Sequence, residues 1–136
     1  MIYEVSIKSQ QPAVTQVVSE VETALQKADI NEDIIGEMCL VYAEALNNVV
    51  EHSYQFDPNH DITFKLSKEG QMICALIIDS GPAYDLPGAK EIGPGEAEFE
   101  DLPEGGFGWG LIQMLMDQIS LERNGDHNHL RLAKSL

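Results

Sequence analysis

Glu44, Asn48 and Glu51 follow one another at helical spacing along Glu44-Ala45-Leu46-Asn47-Asn48-Val49-Val50-Glu51-His52-Ser53-Tyr54. Taking each residue as about 100° further round a helix axis, Ile35, Met38, Cys39, Tyr42, Leu46, Val49 and Val50 fall on one arc. Glu37, Glu44, Asn48 and Glu51 fall on the opposite one. An apolar scaffold has no need of carboxylates and an amide in file. The plain alternative is the solvated face of an amphipathic helix, and two further segments weigh against it. Asp79-Ser80-Gly81-Pro82 ends an apolar run, and an aspartate at the mouth of a buried strand can accept a hydrogen bond from an exocyclic amine. Glu104-Gly105-Gly106-Phe107-Gly108-Trp109-Gly110-Leu111 runs into an apolar periodic stretch. Its backbone N–H groups and the positive end of the helix suit an anion, and its glycines permit close approach.

The elements that must hold these segments are legible from periodicity. Ile2, Val5 and Ile7 mark a first strand over residues 2–8, and Pro12 suits the first turn of a helix. Val14, Val17, Val18, Val21, Ala24, Leu25 and Ala28 recur at three and four residues, which predicts a helix over 13–28. Asn31 is a plausible N-cap for a second helix running unbroken from Glu32 to Tyr54. Ile62, Phe64 and Leu66 alternate as a strand, Glu69-Gly70 turns the chain, and the nearly unbroken apolar run from Met72 to Ile78 predicts a central strand covered on both faces. Residues 82–105, rich in glycine, proline and acid and without periodicity, read as a functional lid. Leu111, Ile112, Leu115 and Met116 resume helical spacing, and a hairpin turning at Asn124-Gly125 closes the chain. The order β-α-α-β-β-lid-α-β-β predicts a single α/β domain over 1–136: one mixed, mostly antiparallel sheet with three helices packed on one face.

Composition narrows the function classes. Eight basic residues against 23 acidic ones leave a formal net charge of -15, which repels phosphate backbones and anionic lipid alike and argues against nucleic acid or membrane as a partner. Cys39 and Cys74 sit in apolar runs without C-x-x-C spacing and read as reduced core thiols, which suits a cytoplasmic protein. No run approaches the ~20 apolar residues of a membrane span. His127 and His129 alternate on a predicted strand and read as paired solvent-facing histidines rather than a metal site.

Taken in this order, the three segments closely resemble the Bergerat-fold ATP-binding domain shared by gyrase, heat-shock chaperones, sensor histidine kinases and mismatch-repair ATPases. Within that superfamily the chain resembles the anti-sigma-factor serine/threonine kinases. Glu44 to Tyr54 is similar to the family's N-box, Asp79-Ser80-Gly81-Pro82-Ala83-Tyr84-Asp85 to its adenine-contacting box, and Gly106-Phe107-Gly108-Trp109-Gly110-Leu111 to its phosphate loop. The resemblance implies ATP and Mg²⁺ as cofactors, with Asn48 completing Mg²⁺ coordination and Glu44 acting as general base on an acceptor hydroxyl. It further implies that Asp79 binds the adenine amino group, that Gly81 admits the base, and that Gly106, Gly108, Gly110 and Leu111 contact the nucleotide. The implied activity is phosphorylation of a serine or threonine on an anti-anti-sigma-like antagonist protein, in exchange for a sigma factor or other effector, and a homodimer is compatible with it. A rival reading keeps the fold and drops or weakens the chemistry, leaving a partner-switch module that acts by protein-protein binding, with or without nucleotide. A sensor histidine kinase would need a phospho-accepting dimerisation helix pair, for which residues ahead of 32 leave no room, and gyrase-like or chaperone ATPases carry large transducer domains. One departure stands out. Many members place an arginine just before the phosphate loop, facing the γ-phosphate, where this chain has Glu104. With no lysine or arginine between Glu91 and Glu122, the balancing charge would come from Mg²⁺, backbone amides and the helix dipole, with Lys90 or Arg123 as further sources.

Overall fold

A computed structural model describes residues 1–86 and 106–136. The elements are β1 (Tyr3–Lys8), α1 (Gln11–Lys27), α2 (Glu32–Asn48) continued by a π-helical turn (Val49–Ser53), β2 (Asp61–Glu69), β3 (Met72–Asp79), α3 (Gly106–Leu115), β4 (Gln118–Asn124) and β5 (His127–Ser135). Pro12 stands in the first turn of α1, where a missing N–H loses no bond. Val14, Val17, Val21 and Leu25 form the buried seam of that helix. The α2 cap is as expected: Asn31 Oδ1 accepts from Asp33 N at 2.8 Å.

The second helix departs from the expected unbroken run to Tyr54. Its α-helical hydrogen bonding gives way after Asn48 to a π-helical turn, in which Tyr54 N donates to Val49 O at 3.0 Å. Gln55 and Phe56 then end it at φ values of 50° and 65°, with Phe56 N bonded back to Val50 O at 2.8 Å. Such turns widen the helix by one residue and tend to accompany functional sites. The apolar arc is also wider than the sequence indicated, because Val41 and Ala45 are buried as well.

The five strands lie in the order β1-β2-β3-β5-β4, and every pairing is antiparallel. The expected mixed sheet is corrected by one insertion. The crossover through α3 leaves β4 running in the same direction as β3, but β5 folds back at Gly125, whose φ is 61°, and fits between them. Strand β3 is central, as expected, yet not covered on both faces. Ile73, Ala75, Ile77 and Asp79 are buried on the side of the helices, whereas on the other face Cys74 is buried but Met72, Leu76 and Ile78 are half-buried. Leu76 is flanked in register by Lys65 and Arg131, whose long aliphatic stems can shield apolar neighbours without a second helical layer.

Between the sheet and helices, Leu25, Met38, Tyr42, Leu46, Phe64 and Ile77 are fully buried, each contributing about 1.5–3 kcal/mol by leaving water. The Tyr42 ring meets Phe64 edge-on at 5.3 Å and 66°. Both cysteines are free and buried. Burial, reinforced by Glu22, pushes the Cys39 thiol up to about 11. Among the described residues no helix is long and apolar enough to cross a membrane.

Candidate functional site

Two members of the polar file of α2, Glu44 and Asn48, meet α3. A Cβ placed on Gly108 would lie 2.8 Å from Glu44 Oε2 and 3.5 Å from both amide atoms of Asn48, so the first turn of α3 approaches these two side chains closely enough that a larger residue there must displace the Glu44 carboxylate. Glu44 and Asn48 are half-buried, and Asn48 Nδ2 is enclosed without a hydrogen-bond partner. A buried amide left unpaired costs stability and calls for an explanation. Here it lies beside the N–H-rich end of a ten-residue helix, where the dipole favours an anion. Glu37, on the same file, instead pairs with Lys134 at 3.2 Å and is thereby taken out of the site.

Asp79 ends β3 at 2 % exposure. Its Oδ1 accepts from Gly81 N at 2.8 Å, closing a tight turn. A Cβ on Gly81 would come within 2.9 Å of Ser53 Cβ and 3.1 Å of Asp79 Oδ1, so contact with the π-helical turn already demands glycine at this position. Tyr54 fastens the same junction. Its hydroxyl donates to Asp61 O at 2.9 Å, lies 3.1 Å from Ser80 Oγ, and accepts from Ser80 N at 2.7 Å. Ser53 follows Asn48 by five residues on one continuous helix, so the Asp79 turn docks roughly 7 Å along the axis from the Asn48 amide. The expected partners Glu44, Asn48, Asp79, Gly81 and Gly108 are thus brought to one end of the fold. Gly110 and Leu111 follow on α3, both half-buried, and Gly106 begins that helix, so the glycine motif forms the helix's first turn rather than a loop before it.

Asn128 escaped the sequence reading, and the contacts made by Arg123 and Tyr84 were not foreseen. Asn128, 1 % exposed on β5, donates to Asp79 Oδ1 at 3.0 Å. Arg123 donates to Gly81 O at 2.7 Å and to Asn128 Oδ1 at 3.1 Å. This corrects the suggestion that Arg123 serves the phosphate, because its guanidinium is held at the Asp79 end. Tyr84 packs on Trp109 with ring centroids 6.2 Å apart, joining the segment after Asp79 to α3. Burial, with Asp79 nearby, pushes the Tyr84 phenol well above its ordinary range. An open cavity of about 390 Å³ lies between residues 83–86 and Leu121, Arg123 and Asn128. Asn128 could have been found from the strand's alternation, since it shares a face with Leu130 and Leu132. The predicted lid from residue 87 onward lies outside the described residues, as do Lys90 and Glu104.

A family model described as the histidine kinase-like ATPase domain matches residues 7–134. The chain belongs to this family. Serine-protein kinase RsbW of Halalkalibacterium halodurans is 33% identical over 95 residues, covering 68% of this chain and 57% of its own length. RsbW of Bacillus subtilis is 25% identical over 95 residues, covering 68% and 59%. The chain therefore spans little more than half the length of these relatives. Among solved structures, the RsbU and RsbW domains of Rv1364c from Mycobacterium tuberculosis superpose with a TM-score of 0.66 at 15% identity, over 98% of this chain and 32% of that one. A histidine kinase domain from Erythrobacter litoralis superposes at 0.55 and 13% identity, over 90% and 61%. At these identities the superpositions establish the fold. As a histidine kinase-like ATPase domain, the protein carries its polar file, its aspartate turn and its glycine-rich helix start on one side of one antiparallel sheet.

Proposed function

We propose that this histidine kinase-like ATPase domain is a cytoplasmic, Mg²⁺- and ATP-dependent serine/threonine protein kinase of a partner-switching system. Its protein substrate would be an anti-anti-sigma-like antagonist and its other partner a sigma factor or similar effector. The observation that carries the proposal is the convergence of Glu44 and Asn48 on Gly108, with an unpartnered amide beside a helix amino terminus. These residues fit a nucleotide phosphate and its cation. A cation here would be held by the Asn48 amide oxygen and would share the site with phosphate and water, which is the habit of Mg²⁺. When bound, Mg²⁺ and ATP supply a transferable phosphoryl group with part of its charge balanced. The α3 N–H groups orient the phosphates, Asp79 accepts from the adenine amine, and Glu44 accepts the proton of the attacking serine or threonine hydroxyl.

The proposal is supported by the RsbW relatives, which are named serine-protein kinases. A second reading, nucleotide binding without transfer, is favoured by one observation: Arg123 is engaged at the Asp79 turn, so the only arginine offered by sequence as a counter-charge for transfer is not directed there. Calorimetry with Mg²⁺ and ATP, paired with label transfer from γ-labelled ATP to candidate antagonist proteins, separates the readings. Heat without transfer to any antagonist leaves the binding module. Absence of heat at millimolar nucleotide removes the kinase and leaves a module that acts by protein-protein binding without nucleotide.

A further inference from the structure

At the Asp79 end of the sheet, three polar side chains stand in one row. Asp79 on β3 is the register partner of Asn128 on β5, and Asn128 of Arg123 on β4, whereas the row continues through Ile62 and Ile7 on the other side. A buried amide at a core position of a strand is costly unless its hydrogen bonds are made. Asn128 makes them all at one place. Its Nδ2 donates to Asp79 Oδ1 at 3.0 Å, Pro82 O at 2.9 Å and Gly81 O at 3.3 Å, and its Oδ1 accepts from Arg123. Arg123, exposed at its outer edge, adds bonds to Gly81 O and Gly125 O. The clasp holds both the carboxylate and the backbone that follows it.

We infer that Asn128, backed by Arg123, is a positioning residue that sets the purine selectivity of the site by fixing the plane of the Asp79 carboxylate. This rests on reading Asp79 as the adenine contact. A carboxylate oxygen accepts along two lone-pair directions, and Oδ1 receives both the Gly81 N–H and the Asn128 amide. That leaves Oδ2 to accept from an amino group at purine C6. A purine with a C6 carbonyl presents a lone pair to the same oxygen, so it meets repulsion where adenine gains a charge-assisted bond, and a site built around such a bond rejects an analogue that lacks it. Without the clasp only the Gly81 N–H holds the carboxylate, and the bond to adenine is lost more than the poor fit of the carbonyl is worsened.

The test is calorimetry of the full chain with Mg²⁺ and either ADP or IDP, which differ at purine C6. The wild type is expected to prefer ADP by roughly 10²-fold or more. In Asn128→Leu, ADP affinity should fall about 10- to 100-fold while IDP changes little, so the preference collapses. Arg123→Gln, at a partly exposed position that leaves the core intact, should lower the preference by a smaller factor, about 3- to 10-fold. A role confined to holding the strands together would weaken both nucleotides equally, and an unchanged ADP-to-IDP ratio in the variants overturns the inference. Should Asn128→Leu fail to fold, the ratio in Arg123→Gln decides alone. A wild type that binds ADP and IDP equally overturns the inference while leaving nucleotide binding intact. A wild type that binds neither overturns the nucleotide reading and the inference together.

Discussion

Replacing Gly108 with alanine should separate stability from activity. The new Cβ would lie 2.8 Å from Glu44 Oε2 and 3.5 Å from the Asn48 amide atoms. The close contact is with the far end of a flexible, half-buried side chain, so turning Glu44 aside relieves it at a cost of about 0.5–1.5 kcal/mol in rotamer energy. Removing a glycine from a helix returns about 0.5–1 kcal/mol. The two nearly cancel, and the variant should stay within about 1 kcal/mol of wild type, a Tm change of no more than about 5 °C at this chain length. Phosphoryl transfer has no such compensation. The methyl group fills the space between carboxylate, amide and helix start, and the displaced Glu44 no longer reaches the acceptor hydroxyl. Transfer should fall by about 10²-fold or more, the range for a lost or misplaced general base. Thermal unfolding and label transfer, measured on the same preparation, check both halves. Loss of more than about 3 kcal/mol of stability would show that Glu44 cannot turn aside. Transfer at the wild-type rate would show that the space beneath Gly108 is not where the reaction occurs.

Asp79→Asn should weaken ADP and ATP binding by similar factors, because the contact it removes is with the base; calorimetry showing a selective loss of ATP would place Asp79 at the phosphates instead. Tyr54→Phe removes the hydroxyl that joins Asp61, Ser80 and the Asp79 turn, and should cost about 1–3 kcal/mol in denaturant unfolding together with a loss of affinity for both nucleotides. Unfolding without effect on affinity would mean that the turn keeps its shape unaided. Stability should also decline as pH rises from about 9 toward about 11. Burial and Glu22 hold the Cys39 thiol at about 11 against an ordinary 9.0, so across that window the unfolded chain has released a proton that the folded chain still holds. Burial pushes the Tyr42 phenol up in the same sense. A melting temperature that stays flat across the window contradicts this.

What the sequence made legible was what local pattern encodes. The Val14-Val17-Val21-Leu25 seam, the Asn31 cap and the Gly125 hairpin are each written within a few residues, and the structure places them where periodicity put them. Glu44, Asn48 and Gly108 could be named because helical spacing and glycine content are local as well. The relation between Asp79, Asn128 and Arg123 is not local: it exists only once β5 is inserted between β3 and β4 in a particular register. The same insertion turned an expected mixed sheet into an antiparallel one. The π-helical turn was hidden for a different reason. Val49 to Ser53 has ordinary helical composition, and its extra residue is stabilised by tertiary contacts, Ser53 against Gly81 and Tyr54 against Ser80. Gly81 itself was expected on account of a bound base, whereas the packing of that turn is sufficient cause. The Met72–Ile78 run was over-read because an apolar residue beside Lys65 and Arg131 needs no helix to cover it.

Glu44→Gln, assayed for nucleotide affinity and phosphoryl transfer in one preparation, tests most directly whether this fold is a kinase. The substitution keeps the size of the side chain facing Gly108 and removes its capacity to take a proton. ADP and ATP affinities should remain within about twofold of wild type while transfer to the antagonist serine or threonine falls by roughly 10²-fold or more. Transfer at an undiminished rate would return Glu44 to the role of a solvated helix residue and contradict the proposed chemistry.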